Sequence, residues 1–343
     1  MPSFTVYKGA ADGTPVKSTT SKPDELVSDQ VLLKVLASGV CGTDLHYRKK
    51  DMVLGHEGVG EVQAVGPEVR HLQVGQRVGW GYQTGCCGLC KQCLTGNETY
   101  CSQRQMYGSA SPDQGSFAAQ AVWREPFLFP LPEGLSSADA APLQCGGATV
   151  FTALQGVKPT DTVGIIGVGG LGHLAIQFAN KMGCRVVVLS SSDRKKDEAT
   201  RLGGHRFIAT SNLKKGEKSK DEDVWELNRL LVTTSSLPDW EVIMPMMAMR
   251  SVIMPLSVGG GDLVVPYGPV LTRGVTIQSA LVATRAVHKE MLAFAARHGV
   301  KPVLETFPLN EKGAKEAMDR LEKGQVHFRA VLLPEGEETK HKI

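Results

Sequence analysis

Two patterns of apolar and polar residues divide the chain. In residues 1–150, short runs rich in Val and Gly, such as VLLKVLASGV and SFAAQAVW, are broken by turn residues. Short strands with Gly and Pro between them predict an all-β, barrel-like domain. From about residue 151, a buried run TVGIIG is followed by a glycine turn, a helical pattern LGHLAIQFANKMG and a second buried run RVVVLS. This order predicts a βαβ unit of a parallel sheet.

Composition sets broad limits on the class of protein. A length of 343 residues exceeds what one hydrophobic core usually supports, so two domains are expected. The formal net charge is +3, and cationic residues are dispersed apart from the mixed-sign run KKGEKSKDED at 214–223, which is predicted to be a solvated excursion. No basic face that would bind nucleic acid is predicted. Neither a membrane helix nor a secretory signal is recognisable, so a cytoplasmic protein with reduced thiols is expected.

The turn GVGGLG has the pattern of a dinucleotide-binding site. Gly167 would make the tight bend, Gly169 would let backbone N–H groups approach a pyrophosphate, and Gly172 would let the helix pack on the strand. Glycine turns also join strands to helices for packing alone, but here both flanking elements fit. Phosphates are therefore expected at the helix N-terminus. The predicted cofactor-binding residues of the turn are Gly167, Gly169, Gly170, Leu171 and Gly172.

Five of the eight cysteines lie in one stretch, GCCGLCKQCLTGNETYC. Cys87, Cys90, Cys93 and Cys101 follow the spacing C-x2-C-x2-C-x7-C, which lets four thiolates close a tetrahedron around a structural zinc ion. Cys86 could replace Cys87, although only Cys87 gives the regular double x2 spacing. A zinc ribbon that binds nucleic acid is the alternative from another functional class, and the dispersed charge argues against it.

Three more widely spaced residues form a second possible set of zinc ligands. Cys41 lies in GVCGTDLH, His56 in LGHEGVG and Cys145 in PLQCGGATV. Any one of them alone would more often be a core thiol or a hydrogen-bonded histidine. Two thiolates and one imidazole together leave zinc an open fourth position for water or substrate. This set therefore predicts a catalytic zinc site.

The order CGTDLH, GHE, four clustered cysteines and a cysteine before a GxGGxG turn resembles the zinc-dependent medium-chain dehydrogenases/reductases. The sequence from DLVVPYGP through FAARHGVKPVLE to RLEKGQVHFRAVLL resembles that of their cinnamyl-alcohol-dehydrogenase-like branch. The resemblance implies an α/β fold. A GroES-like β-barrel catalytic domain would comprise 1–148, completed by 285–343, and a Rossmann doubly wound parallel sheet would comprise 149–284, with the active site in the cleft. It also implies a homo-oligomer, either a dimer or a tetramer.

The resemblance also implies roles for residues near the zinc. Thr43 matches a hydroxyl that contacts the substrate oxygen, and His46 matches the outer end of a proton relay; the alternatives are a turn hydroxyl and a surface histidine. Asp44 is expected to accept the second imidazole N–H of His56 and to fix its tautomer. Glu57 is expected behind the zinc, and a buried structural carboxylate is the alternative.

The residues after the second buried run bear on the choice of cofactor. Small hydroxyls followed by cations suit the 2′-phosphate of NADP(H), which a carboxylate would repel. Asp193 is the rival ligand, for the ribose of NAD(H), but it stands where the next helix would want an N-cap. The residues predicted to select NADP(H) are Ser190, Ser191, Ser192, Arg194 and Lys195. The resemblance adds Thr149 and Thr233 beside the cofactor, Ser279 and Leu281 near the nicotinamide, and Arg329 near the pyrophosphate.

The sequence thus predicts a zinc-dependent oxidoreductase with two zinc ions per chain and NADP(H). It would act mainly as an aldehyde reductase on a small-molecule aldehyde or primary alcohol. The alternative is an NAD-dependent alcohol or polyol dehydrogenase. Only fourteen residues separate Cys41 from His56, fewer than this branch usually has, and no Pro precedes GHE. The substrate therefore stays open, with Trp80, Trp123 and Met106 as candidates for lining the pocket.

Overall fold

The computed structural model describes residues 3–22, 25–213, 225–258 and 261–336. The charged run at 214–223 lies outside the described residues, so its predicted solvation stays a prediction. No helix in the described part of the chain is long and apolar enough to cross a membrane.

Contacts between residues divide the chain into two compact units. The first unit comprises 1–148 together with 282–343, and the second comprises 149–281. The second junction lies three residues earlier than the predicted one, which was placed between 284 and 285.

The chain alternates strands with mostly short helices. Numbered along the chain, the strands are β1 (Ser3–Lys8), β2 (Val16–Ser21), β3 (Gln30–Val40), β4 (Glu57–Val65), β5 (Arg77–Trp80), β6 (Gln83–Gly85), β7 (Gln105–Met106), β8 (Gln120–Arg124), β9 (Phe129–Pro130), β10 (Thr162–Ile166), β11 (Arg185–Ser190), β12 (Arg206–Ala209), β13 (Leu227–Val232), β14 (Met247–Pro255), β15 (Thr276–Ile277), β16 (Leu304–Pro308) and β17 (Arg329–Leu333). The α-helices are α1 (Gly42–Tyr47), α2 (Lys91–Leu94), α3 (Ser137–Pro142), α4 (Ala148–Ala153), α5 (Gly172–Lys181), α6 (Lys196–Arg201), α7 (Trp240–Ile243), α8 (Tyr267–Arg273), α9 (Arg285–His298) and α10 (Glu311–Glu322).

The second unit is built on a parallel sheet of six strands in the order β12-β11-β10-β13-β14-β15. Strands β10 and β11 consist largely of Val, Ile and Leu and are buried almost along their whole length, as strands covered on both faces must be. This order starts at β10 in the middle of the sheet and reverses direction there. The glycine turn after β10 therefore lies at the carboxyl edge of the sheet, where doubly wound folds bind ligands.

The first unit contains a seven-stranded sheet in which β3 pairs with β4, β8 and β17. Strand β17 comes from the returning C-terminal segment and runs antiparallel to β3, with Val331 opposite Gly39. On its other edge, β3 pairs Gly39 with Glu57 of β4. This register brings the end of β3, the start of β4 and the start of β17 together. Three segments that are distant in sequence thus meet at one end of the sheet.

Two of the residues suggested as pocket lining belong instead to the hydrophobic core of the first unit. Trp80 is fully buried and Trp123 nearly so, and their rings pack with centroids 5.7 Å apart. Val31, Leu33 and Val78 lie in the same cluster. The suggestion was wrong for this tryptophan pair, because both strands that carry it turn this face toward the core. Met106 is also buried.

Candidate functional site

Asp44 is the centre of a buried hydrogen-bond network at the end of β3. Its carboxylate is fully buried and accepts from the backbone N–H of Cys41 at 2.9 Å, which ties the first turn of α1 together. It also accepts from the backbone N–H of Gly55 at 3.2 Å and from the Tyr107 hydroxyl at 3.1 Å. The fourth donor is Nδ1 of His56, at 3.0 Å. A carboxylate held by four donors gives His56 a fixed orientation and tautomer.

The His56 ring has its other nitrogen unused. With Nδ1 bonded to Asp44, the lone pair of Nε2 faces a buried space and has no hydrogen-bond partner among the described residues. One ligand atom from each of Cys41, His56, Glu57 and Cys145 lies within 4.8 Å of all the others. A buried, unpartnered imidazole nitrogen beside two thiols is the donor set that zinc prefers. The structure thus brings together the three residues that the sequence predicts as catalytic ligands.

Cys145 reaches this cluster from an irregular helical segment. α3 ends at Pro142 and continues as a single π-helical turn, Leu143–Gly147, before α4 begins. Such turns widen the helix at one residue and re-aim its side chain. The neighbouring Gln144 fixes the turn, since its amide donates to the carbonyl of Ala140 at 2.9 Å and its Oε1 lies 2.9 Å from Nε2 of His288.

The thiols of the cluster affect each other electrostatically. Hydrogen bonding from Cys145 holds the pKa of the Cys41 thiol well below its usual range, which favours the thiolate at this position. The Thr43 hydroxyl lies 3.8 Å from the sulfur of Cys41 and is half-buried. His46, one turn further along α1, is exposed. The Thr43 hydroxyl therefore lies beside the cluster, and the His46 imidazole contacts solvent. The predicted roles of both residues stay predictions.

Glu57 is the carboxylate member of this cluster and forms a buried ion pair with Arg329, the first residue of β17. A glycine is required at position 39, because a Cβ there would lie 1.9 Å from Oε2 of Glu57. Burial raises the pKa of Glu57 to about 8, against the opposing effect of the Arg329 guanidinium. Arg329 is thus anchored in the first unit, and its predicted contact with a pyrophosphate stays a prediction.

The second cluster comprises the four cysteines Cys87, Cys90, Cys93 and Cys101. The sulfur of Cys87 lies 3.9 Å from that of Cys93 and 3.6 Å from that of Cys101, and Cys90 and Cys93 are 3.6 Å apart. These separations match thiolates that share the corners of one tetrahedron. Cys86 is not a member of this group; its side chain packs against the hydrophobic core that contains Trp80.

Backbone groups prepare these sulfurs for a cation. The N–H of Cys90 donates to the sulfur of Cys87 at 3.3 Å, and the N–H of Gln103 donates to that of Cys101 at the same distance. Hydrogen bonds from the backbone N–H groups of Leu89 and Cys90 lower the pKa of Cys87 to about 6. The thiolate form is favoured because its charge is already partly compensated by donors from the same loop.

The glycine turn has the three geometries that its sequence requires. Gly167 has a φ of +93°, a conformation open mainly to glycine, and a Cβ on Gly172 would lie 2.0 Å from the carbonyl oxygen of Gly167. Gly169 in contrast faces open space, where no heavy atom would lie within 4 Å of a Cβ. The Thr233 hydroxyl donates to the carbonyl of Ile166 at 2.8 Å and so ties β13 to the turn. A phosphate can approach the turn at Gly169, at the N-terminus of a ten-residue helix.

The residues after β11 lie close to the same turn. Ser190 ends β11 and is half-buried, and Ser191 is exposed. Ser192 accepts from Nε of Arg194 at 3.4 Å. The ammonium of Lys195 reaches back to the glycine turn and donates to the carbonyl of Val168 at 2.7 Å. The predicted cation therefore lies beside the glycine turn.

The predicted capping role of Asp193 was wrong. A short 3-10 turn comprises Asp193–Lys195, and Ser192 is the residue before it; α6 begins only at Lys196. Neither Ser192 nor Lys195, the residues at the two cap positions, makes a side-chain capping hydrogen bond. The chain inserts a tight turn here, so α6 starts two residues later than an N-cap at Asp193 would place it. The Asp193 carboxylate is thus exposed and does not cap a helix, so capping would not prevent it from binding a ribose hydroxyl.

The remaining predicted cofactor residues are spread over the second unit. Thr149 is buried in α4, and Gly170 and Leu171 lie in the glycine turn before α5. The Ser279 hydroxyl donates to the carbonyl of Pro255 at 2.7 Å, and Leu281 is exposed at the end of the unit. Nothing in these contacts tests their predicted approach to a cofactor.

Sequence reasoning missed three tyrosines: Tyr82 and Tyr107, which lie beside His56, and Tyr47, which packs against Tyr107. The register of β4 and β5 pairs Gly58 with Trp80, so Tyr82, two residues after Trp80, lies beside His56, two residues before Gly58. Their ring centroids are 5.5 Å apart in an edge-to-face arrangement, and those of Tyr107 and His56 are 4.9 Å apart. In the sequence, only the positions of Tyr82 and Tyr107 could have drawn attention to them, since both residues follow segments with strand character. The residues alone do not indicate which end of which strand they occupy.

Comparisons with known protein families agree with this arrangement. Residues 27–133 match the family described as alcohol dehydrogenase GroES-like domain, and residues 170–297 match the family described as zinc-binding dehydrogenase. The first match includes Cys41, His56 and the four-cysteine cluster, and the second begins at Gly170 within the glycine turn; Cys145 lies between the two matches.

Individual relatives align over nearly the whole chain. An alcohol dehydrogenase from Geobacillus stearothermophilus is 34% identical over 319 residues, which cover 90% of this chain and 92% of the relative. The NADP-dependent alcohol dehydrogenase 6 of Saccharomyces cerevisiae is 34% identical over 335 residues, covering 92% of each chain. Among solved structures, a cinnamyl alcohol dehydrogenase from Sorghum bicolor superimposes with a TM-score of 0.87 at 28% identity, covering 99% of this chain and 100% of that one.

Proposed function

The chain belongs to the zinc-dependent medium-chain dehydrogenases/reductases, in the cinnamyl-alcohol-dehydrogenase-like branch, and we propose that it is an NADPH-dependent aldehyde reductase with two zinc ions. The predicted family and fold class, a Rossmann doubly wound sheet plus a GroES-like β-barrel, are confirmed by these matches. Family membership establishes an alcohol-dehydrogenase-type oxidoreductase. The cofactor, the metal content and the direction of reaction are the proposed part.

The observation that carries the proposal is the unpartnered, buried Nε2 of His56 beside the thiols of Cys41 and Cys145. These three residues would hold a catalytic zinc, since two thiolates and one neutral imidazole complete three corners of a tetrahedron. When bound there, zinc supplies Lewis-acid polarisation of the substrate carbonyl. Asp44 fixes the orientation and tautomer of the imidazole by accepting its Nδ1–H. The Glu57 carboxylate beside these ligands is paired with Arg329, and both side chains are buried.

The chain's own residues would also handle the proton that the reduced substrate gains. The Thr43 hydroxyl, close to Cys41, is placed to hydrogen-bond the substrate oxygen, and the exposed His46 imidazole can exchange a proton with solvent. The second zinc would be held by Cys87, Cys90, Cys93 and Cys101, whose four sulfurs leave no position for substrate.

The second unit would bind the dinucleotide, which supplies the hydride. The open space over Gly169 and the N-terminus of α5 fit a pyrophosphate, because backbone donors and the helix dipole favour an anion there. The Lys195 ammonium at the turn, Arg194 and the hydroxyl of Ser190 favour the 2′-phosphate of NADPH. The name of the yeast relative, an NADP-dependent alcohol dehydrogenase, supports the same choice.

One observation favours a second candidate, an NAD-dependent alcohol or polyol dehydrogenase. Asp193 is exposed and is not used as a helix cap, so it could accept from the ribose 2′-hydroxyl of NADH. The two candidates differ in one measurable quantity, the ratio of kcat/KM with NADPH to kcat/KM with NADH for one aldehyde held at saturation. We expect the wild-type protein to prefer NADPH.

Substitution at Ser190 tests the basis of that preference. In Ser190→Asp, a carboxylate about 4 Å from the 2′-phosphate costs on the order of 1–3 kcal/mol after screening, so NADPH efficiency should fall about five- to hundredfold. NADH efficiency should hold or improve. Ser190→Asn is the matched control, because Asn is similar in size to Asp but neutral. It should change the ratio of NADPH to NADH efficiency much less. Lys195→Ala should weaken NADPH use by a smaller factor. A wild-type preference for NADH, or an unmoved ratio in Ser190→Asp, would select the NAD-dependent candidate.

A homo-oligomer, dimer or tetramer, is part of the proposal. On α8, one turn apart, Tyr267 and Leu271 are 79% and 65% exposed, and Val264 just before the helix is 73% exposed. They lie in the segment that precedes the edge strand β15. Apolar side chains grouped at a sheet edge are typical of surfaces that another chain covers. The predictions of a cytoplasmic protein that does not bind nucleic acid stay predictions.

A further inference from the structure

The three tyrosines Tyr47, Tyr82 and Tyr107 form one wall of the proposed catalytic zinc site. Tyr82 meets the His56 ring edge-to-face, Tyr107 is tilted against it, and the rings of Tyr47 and Tyr107 pack edge-to-face with centroids 5.2 Å apart. Tyr107 is buried, whereas Tyr47 and Tyr82 are each partly exposed. The wall therefore has a buried part behind His56 and a part that solvent, and hence a ligand, can reach.

The hydroxyls of this wall differ in how fully they are used. The Tyr107 hydroxyl donates to Asp44 and accepts from the backbone N–H of Gly55, so its donor is occupied. The hydroxyls of Tyr47 and Tyr82 lie 3.1 Å apart and bond to each other. Each phenol has one proton, and one shared hydrogen bond uses only one of the two. Within the described residues neither hydroxyl has a further hydrogen-bond partner, so the pair has one proton and several lone pairs to offer.

The short segment between α1 and His56 contributes a cation to this pair, since the Lys50 ammonium lies 4.8 Å from the centroid of the Tyr47 ring. Its apolar residues Met52, Val53 and Leu54 are all buried in the core of the first unit. Arg48, at the start of the segment, is tied down by ion pairs to Asp319 and Glu322 at 2.8 Å each. No apolar side chain of the segment is therefore left to line the site, and the polar pair takes that place.

We propose that the Tyr47–Tyr82 pair is a specificity-determining element that recognises a hydroxyl group on the carbon next to the carbonyl. This inference rests on the proposed function, because it requires the carbonyl oxygen to be directed to the zinc held by His56, Cys41 and Cys145. The neighbouring hydroxyl then lies on the side of the tyrosine wall. The substrate class is that of 2-hydroxyaldehydes and the vicinal diols that correspond to them.

The physical basis is the cost of leaving polar groups unpaired. A plain aldehyde that displaces water from the pair leaves its spare proton without an acceptor, whereas a 2-hydroxyaldehyde replaces that water hydrogen bond. Sites built to hydrogen-bond a substrate hydroxyl discriminate strongly against analogues that lack it.

The test compares two three-carbon aldehydes, 2-hydroxypropanal and propanal, with concentrations expressed as free carbonyl form. The measured quantity is kcat/KM for 2-hydroxypropanal divided by kcat/KM for propanal. It is determined once with NADPH and once with NADH. Wild-type protein should favour 2-hydroxypropanal about tenfold. Tyr82→Phe and Tyr47→Phe should each lower the ratio about three- to tenfold. The double variant should lower it no further than the stronger single one, because the two phenols act through one shared hydrogen bond.

Two controls separate recognition from folding and from the proposed function. Tyr267→Phe, on the exposed face of α8, should leave the ratio unchanged, and thermal melting checks that each variant folds. If Tyr82→Phe fails to fold, Tyr47→Phe carries the test. A wild-type ratio near or below one, or a ratio that is unmoved in a folded variant, overturns the inference alone. Failure of the wild type to reduce either aldehyde with either cofactor would instead count against the proposed function.

Discussion

The two clusters of metal-ligand residues are built in opposite ways. Cys87, Cys90, Cys93 and Cys101 come from fifteen consecutive residues, and their sulfurs are stabilised by backbone N–H groups of the same loop. Cys41, His56 and Cys145 come from the end of β3, the residue before β4 and a π-helical turn about a hundred residues on. Their support comes from a buried carboxylate and not from local backbone.

Because of this difference, we expect one site to contribute to stability and the other to catalysis. A loop that already points four sulfurs inward needs only a cation to become rigid, so its metal acts on folding. A site assembled from distant segments exists only after the sheet has formed, and its three protein ligands would leave a bound zinc ion one position for substrate. We therefore expect loss of a ligand in the first cluster to reduce stability, and loss of a ligand in the second to abolish chemistry.

The largest effect is expected for Cys145→Ala. Removing one of three zinc ligands should lower kcat/KM at least about a thousandfold, since the metal supplies most of the stabilisation of charge on the substrate oxygen. The Kd for NADPH, measured by fluorescence titration, should change less than about threefold, because the dinucleotide is held by the second unit. Cys184→Ala, another buried thiol but outside both clusters, is the matched control and should keep turnover within about twofold. Near-normal turnover of Cys145→Ala would show that the catalytic site has been placed wrongly.

A smaller effect, on stability, is expected for Cys90→Ala. The zinc content should fall from two ions per chain to one, and Tm should drop by about 10 °C, as a loss on the order of 4 kcal/mol would cause in a unit of this size. The activity of the remaining folded protein should fall much less than in Cys145→Ala. Cys86→Ala, a neighbouring cysteine outside the cluster, should keep two zinc ions. If Cys86→Ala loses a zinc ion while Cys90→Ala does not, the ligand assignment in this loop is incorrect.

The smallest effect is expected for Tyr107→Phe, which removes one donor from Asp44 without touching a zinc ligand. Zinc should leave the catalytic site about tenfold faster in the presence of a chelator, because the groups that orient a ligand typically change metal affinity by that order. Release from the four-cysteine cluster should keep its wild-type rate. Tyr7→Phe, also a buried tyrosine of the first unit, is the control. Equal acceleration at both sites would indicate general loosening of the fold, and the positioning role of Tyr107 would then be dropped.

Several elements of the fold follow from sequence pattern alone. The run RVVVLS is β11 without adjustment, and the helix predicted to end at Gly183 ends at Lys181, followed by Gly183 with a φ of +87°. These segments combine a strong period with a glycine where the chain must reverse. Asp193 shows where such reasoning fails, since the choice between a short turn and a cap depended on packing after β11 and not on the residue type.

The sequence by itself determined the donor atoms of both metal-ligand clusters and the phosphate-binding turn, because thiols, imidazoles and glycines at fixed spacings carry their chemistry in their identity. Only the tertiary structure decided which groups stand around them. The hydrogen bonds that Asp44 accepts, the Glu57–Arg329 pair and the tyrosine wall each join residues whose proximity depends on strand register. A register is fixed by burial over a whole sheet, and a shift of one residue would reverse every side chain on the strand. No local pattern contains that information.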